Sequence, residues 1–316
     1  MIQNIEQILN FRYSPFRYLN RRWKNEYPNN MSEAYLNRHL KNYPPIYKKF
    51  KLTCEVMFAR GEVDMGLGYN IFNSKSDLVL CKPKALTSHI NTIKKLIESF
   101  DINNSILVCC GRDTALSENI SNLTLLRPFF KKIYYEAKDI ECDWVTTIPM
   151  GINFINMLRC GGDEILHHIN KPKNKTKLIS SAFGSRWPKL TDTIEDRKLL
   201  KAFTQSSQFM DNMFCHPLDY FEKLSDYKFF ACPLGNGIQT PKICESILCE
   251  TVPVVTNHIT YRELRDIYDL PLLIVDKWED LTEDFLNEAY DSKYKHINWQ
   301  KEKAKFLVEN FKNLLK

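Results

Sequence analysis

The stretch Tyr227 to Asn257, YKFFACPLGNGIQTPKICESILCETVPVVTN, restricts the architecture of this chain more than any other. Lys228 to Cys232 is a short apolar-aromatic run of the length of a buried strand. Pro233-Leu234-Gly235-Asn236-Gly237 follows as a turn, since its two glycines reach backbone conformations closed to other residues. Thr240 and Pro241 mark a helix start: a capping hydroxyl, then the residue best tolerated at the first helical position. Ile243, Ile247 and Leu248 share one face of that helix, and Val252 to Thr256 predicts the next buried strand. Strand, glycine turn, helix and strand together make a unit of a parallel sheet. A helix N-terminus behind such a turn is a place where backbone N–H groups gather around phosphate.

The 316 residues exceed one ordinary core and divide into two domains of roughly 150 residues each. Residues 1–165 are expected to form an N-terminal Rossmann-like domain carrying a helical N-terminal arm. Residues 176–316 are expected to form a C-terminal domain with two closing helices, about Glu283 to Tyr290 and Trp299 to Leu315. Gly161-Gly162 and the polar run Asn170 to Lys175 lie between them as a connection. In the first domain, strands are expected at Glu55–Ala59, Leu78–Cys81, Ser105–Cys110, Phe129–Tyr135 and Asp143–Ile148, with a helix over Ser88–Phe100. In the second, Lys177–Phe183 and Pro271–Val275 read as strands, with helices through Arg197–Phe203 and Tyr261–Tyr268. Alternating strands and helices predict parallel sheets covered on both faces.

A hydrophobic fraction of 44% and a charged fraction of 26% describe a soluble globular chain. The net charge of +6 suits an anionic small molecule better than a nucleic acid, which would draw a denser basic patch. Ten cysteines occur without a CxxC, mostly inside apolar runs, so they read as buried free thiols rather than disulfides or metal ligands. With no apolar leader and no run long enough to span a membrane, the expected location is the cytoplasm.

FFACPLGNGIQTPKICESILCETVPVVTN also resembles the C-terminal motif of exostosin-like glycosyltransferases. That motif has an aromatic strand, C-P-x-G, a short polar loop, a helix with a central Glu, and a closing P-V strand. Tyr220 to Asp226 and Ile148-Pro149-Met150-Gly151 resemble flanking segments of the same family. The resemblance implies an α/β fold of the GT-B type, two Rossmann-like domains with parallel sheets facing across a cleft. It implies a nucleotide-sugar donor held mainly by the C-terminal domain, a glycan or lipid-linked acceptor, and inversion at the transferred sugar. Asp-x-Asp, which holds a divalent cation in the GT-A transferases, occurs nowhere, so neither a cofactor nor an essential metal is expected. The chain departs from the family pattern in having Leu234 and Lys242 where arginines are common. Cys249-Glu250 likewise replaces a small residue and Gly.

Donor candidates follow from this chemistry. Backbone N–H groups of Gly235, Asn236, Gly237 and Thr240 suit phosphates, with Lys242 adding positive charge in the first helical turn. The resemblance assigns ribose hydroxyls to Glu245, whose two oxygens can accept from a vicinal diol. Ser185 and Arg186 follow the first strand of the second domain, where a guanidinium can clamp a diphosphate. Arg197 and Lys198 are alternatives that an ordinary helix surface explains equally well. For the acceptor-side base, Asp64 and Asp113 lead from loops at strand ends, ahead of Glu62 and His89. His216 and His258 flank the donor stretch, either as participants or as structural histidines. Two rival readings stay open. One is an inactive glycan-binding or scaffold protein of the same fold. The other is a different Rossmann-like nucleotide-dependent enzyme, although the G-x-G-x-x-G of nicotinamide oxidoreductases is absent.

Overall fold

The computed structural model describes residues 56–59, 78–81, 105–111, 113–171, 173–183 and 191–307, with single positions among 2–8, 83–94 and at 310. Glu62, Asp64, His89, Ser185 and Arg186 lie outside the described residues, as do the N-terminal arm and most of the helix expected over Ser88–Phe100.

Five strands form the first sheet in the order β1 (Val56–Ala59), β2 (Leu78–Cys81), β3 (Ser105–Cys109), β4 (Phe130–Tyr135) and β5 (Val145–Thr147). β2 to β5 run parallel, and β3 is buried at every position, as a strand covered on both faces must be. The expectation of a wholly parallel sheet needs one correction. β1 lies antiparallel to β2, with Val56 opposite Cys81, as an antiparallel edge on an otherwise parallel sheet. Helices α1 (Ile120–Leu126), α2 (Phe154–Arg159) and α3 (Leu166–Asn170) belong to this half.

The second sheet is parallel throughout, with β6 (Lys177–Ser181), β7 (Met210–Asn212), β8 (Tyr227–Ala231), β9 (Val252–Thr256) and β10 (Leu273–Val275). Its spatial order is β10-β9-β8-β6-β7. The chain therefore steps from β6 outwards to β7, then returns past β6 and winds the other way through β8, β9 and β10. Between β6 and β8 the winding reverses, which makes that point the switch of a doubly wound sheet. β7 escapes the sequence patterns because only Met210 of its three residues is buried.

Alternation along the aromatic strand divides the second half's core. Phe229 and Ala231 join Leu200 of α4 (Thr191–Ser206), Trp278 and Leu286 of α8 (Glu283–Ala289) in one apolar cluster. Phe230 and Cys232 face the other way. They meet α5 (Tyr220–Leu224), α6 (Lys242–Leu248) and α7 (Ile259–Tyr268), whose cluster runs on without a break into the core of the first half. The last helix, α9, spans Trp299–Ala304. The polar run Asn170 to Lys175 is docked at its end through Lys175. Half-buried Lys175 donates to Ser225 O at 2.9 Å, Cys249 O at 2.8 Å and Thr251 Oγ1 at 2.8 Å. No helix among the described residues is long and apolar enough to cross a membrane.

Candidate functional site

The glycine turn is shaped by what it packs against. Its chain folds back on itself, Gly235 N donating to Ile238 O at 2.7 Å and Ile238 N to Gly235 O at 3.2 Å, with Ile238 in the left-handed region at φ 70°. A Cβ on Gly235 would lie 2.1 Å from Gln239 O, so no larger residue fits the hairpin. A Cβ on Gly237 would lie 2.6 Å from Asp113 Cα and 2.9 Å from Asp113 Oδ1, across the boundary between the halves. Gln239, only 2% exposed, then enters the first half with its side chain. Its Nε2 donates to Glu136 O at 2.6 Å and Ile148 O at 2.8 Å, and its Oε1 accepts from Met150 N at 3.0 Å.

α7 fastens the same boundary. Glu263 pairs with buried Lys138 and accepts from Thr147 N at 2.7 Å, while the Tyr268 hydroxyl donates to Thr147 O at 2.5 Å. Asp113, Glu136, Lys138, Ile148 and Met150 all follow β3, β4 or β5, and Gly237 and Gln239 follow β8. The two sheets thus present the C-terminal ends of their strands to each other.

Beside this contact lies a cavity of about 310 Å³, at the small end of the range for ligand pockets. It opens at the switch point of the second sheet. Ala182 and Phe183 beyond β6, Asn212 to Cys215 at the end of β7, and Tyr220 line one side; Lys242 and Glu245 of α6 join them. Asn156, Arg159 and Cys160, on α2 and just after it, contribute the first half's share.

Glu245 is 3% exposed, on the inner face of α6. The Tyr220 hydroxyl donates to Glu245 Oε2 at 3.0 Å and accepts from Lys242 Nζ at 3.3 Å. Burial, reinforced by the Glu245 charge, pushes the Tyr220 hydroxyl well above its ordinary pKa, so it stays a donor. Lys242 Nζ also stands 4.7 Å from the centroid of the Tyr220 ring, a cation–π contact that holds the ammonium beside the acidic corner. Burial likewise pushes the Cys160 thiol up to about 11, leaving it un-ionised at neutral pH. In the same lining, the side chains of Arg159 and Asn212 have no hydrogen-bond or ion-pair partner among the described residues. The cavity therefore holds a buried carboxylate with acceptor capacity to spare, a cation with five donors, and a carboxamide.

Of the residues singled out in the sequence, Lys242 and Glu245 line the cavity. Gly235, Gly237 and Thr240 are buried outside its lining, and the amides of Gly235, Ile238 and Gln239 are spent within the turn. Asn236 is half-buried, its side-chain oxygen enclosed without a partner. α6 is a seven-residue helix beginning at Lys242, with Pro241 at its cap; Thr240 Oγ1, just before it, accepts from Lys242 N at 3.5 Å. Arg197 supports the turn, its Nε donating to Leu234 O at 2.9 Å, and Lys198 is exposed beside Glu195. Both histidines are helix caps: His216 Nδ1 accepts from Leu218 N and His258 Nδ1 from Thr260 N.

Arg159, Asn212 and Phe214 escaped sequence reasoning because no motif surrounds them. Their common property is the cavity wall. Among the described residues no group of three or more His, Cys, Asp or Glu side chains is placed to hold a metal ion. The chain matches no family model and no curated protein sequence.

Proposed function

We propose that this chain is a glycosyltransferase of the GT-B type, passing a sugar from a nucleotide-sugar donor to a glycan or lipid-linked acceptor with inversion. The observation that carries this reading is Glu245: a buried carboxylate oriented by Tyr220, lining a cavity at the switch point of a doubly wound sheet. Ligands of open α/β sheets sit at that point, and a carboxylate there suits the vicinal hydroxyls of a ribose. The opposition of strand C-terminal ends from two sheets supports the same fold. Every cysteine among the described residues is a free thiol, which suits the reducing cytoplasm.

In this reading the acceptor hydroxyl attacks the anomeric carbon while the bond to the nucleoside diphosphate breaks. Negative charge grows on the leaving diphosphate, and Arg159 and Lys242 are the cations at hand to stabilise it. For the base that takes the acceptor proton we keep Asp113, which rests against Gly237 of the donor stretch, outside the cavity lining. The test is a titration of the protein with UDP, GDP, ADP, CDP and dTDP, followed by donor hydrolysis with the matching nucleotide-sugars. Binding of one nucleoside diphosphate, lost in Glu245→Ala, supports the proposal. Indifference to all five, with binding of NAD instead, sinks it. Binding without hydrolysis or transfer identifies a nucleotide-binding protein without activity.

A further inference from the structure

Phe214 is 97% exposed, yet it belongs to the cavity wall. A single apolar side chain on a surface needs no explanation in itself. What sets this one apart is how firmly its backbone is held. Met213, the residue before it, is buried, and Met213 N donates to Ser181 O at 2.8 Å, extending the β6–β7 pairing beyond the strand. Phe214 N donates to Asn212 O at 2.9 Å, closing a tight turn. Two residues later His216 caps the short helical turn Pro217–Asp219. The chain is pinned on both sides of a ring that touches almost nothing of its own fold.

Such a ring contributes little to folding, because the area it would bury remains in water. It is pre-organised for contact with a ligand, since its backbone carries no ordering cost at the moment of binding. Beside it the cavity offers Asn212, a carboxamide that can both donate and accept at the edge of a heterocycle, and Phe183, half-buried behind. The charged groups Arg159, Lys242 and Glu245 line the same cavity. A planar, hydrogen-bonding ring joined to an anionic tail matches this division.

We infer that Phe214 is the stacking platform for the base of a nucleoside diphosphate bound in this cavity, and that Asn212 reads the edge of that base. The inference rests on the donor-site reading of the cavity and adds to it the residues that recognise the base. Base-on-aromatic stacking is worth about 10- to 100-fold in affinity.

The experiment is calorimetric titration of wild type, Phe214→Ala and Phe214→Tyr with the nucleoside diphosphate that wild type binds best, and with inorganic pyrophosphate. Phe214→Ala is expected to weaken the nucleotide by about 10- to 100-fold, leave pyrophosphate unaffected and leave the melting temperature unchanged, while Phe214→Tyr retains affinity. Equal nucleotide affinity in Phe214→Ala and wild type overturns the stacking role and leaves the donor site standing. Parallel loss of pyrophosphate binding in Phe214→Ala also overturns it, since the ring would then be shaping the pocket and not meeting a base. Failure of wild type to bind any nucleoside diphosphate overturns both the stacking role and the donor site.

Discussion

Gly237 rests directly against Asp113, so closely that a Cβ on the glycine would lie 2.6 Å from the aspartate's Cα. One residue comes from the turn after β8 and the other from the loop after β3, and the absent side chain is what lets the two backbones meet. Gly237→Ala forces backbone apart, because the nearest atom is the Asp113 Cα, which cannot swing aside as its carboxylate can. We expect a loss of about 1–3 kcal/mol in stability, measured by chemical denaturation. Unchanged stability would mean that the two loops separate readily.

Gln239 joins the halves by donating twice and accepting once. Gln239→Glu keeps the shape but replaces the doubly donating Nε2 by an oxygen that, when ionised, faces Glu136 O and Ile148 O with no proton to give. We expect a penalty of about 2–4 kcal/mol at neutral pH, since buried carbonyls lose their partners beside an unpaired charge. The penalty should shrink as the pH falls and the new carboxyl takes up a proton. A penalty that does not change with pH would show that charge is not the cause.

Tyr220 orients Glu245. Tyr220→Phe removes the hydroxyl at 3.0 Å while keeping the ring over which Lys242 sits. Nucleoside diphosphate affinity should fall about 3- to 10-fold, and by more in Glu245→Ala, as read by calorimetry. An unchanged affinity in both variants would remove this corner from the site.

Lys175 sets a pH dependence whose sign is fixed. Burial pushes its ammonium from the usual 10.5 down to about 7. Between those values the unfolded chain holds a proton that the folded chain has lost, so stability rises with pH across that window. Lys175→Met removes the group in both states. The stability of wild type minus that of the variant should therefore climb between about pH 7 and pH 10, with a slope of at most about 1.4 kcal/mol per unit. A flat difference would mean that the three acceptors around Nζ keep the lysine charged.

Glu250 stands in the left-handed region at φ 60°, where the resembled family places glycine. It is held there by Lys303, which is 4% exposed and donates to Glu250 Oε1 at 2.6 Å and to Ile169 O at 2.7 Å. Glu250→Gly relieves the backbone by about 1 kcal/mol but strands a buried ammonium at a cost of about 3 kcal/mol or more. We expect net destabilisation near 2 kcal/mol, recovered in part by adding Lys303→Met. A gain in stability from Glu250→Gly alone would show that the pair contributes nothing.

The runs SILVC, YKFFA and VPVVT are legible as strands because a strand buried on both faces imposes apolar residues along its own length. Glu245 was legible too, a lone carboxylate amid Ile243, Cys244, Ile247 and Leu248 on one short helix. These are local properties, set by neighbours within a few positions. The glycine turn was legible as a turn, but its partner was not. That Gly237 meets Asp113, and that Gln239 spans to Glu136 and to Ile148, 103 and 91 positions away along the chain, depends on how the two sheets approach each other. The cavity is of the same kind. Arg159, Asn212 and Phe214 share no period and no motif, and they become one wall only where the winding of the second sheet reverses. Local periodicity determined the elements; packing between distant elements decided which of their polar groups remain free for a ligand.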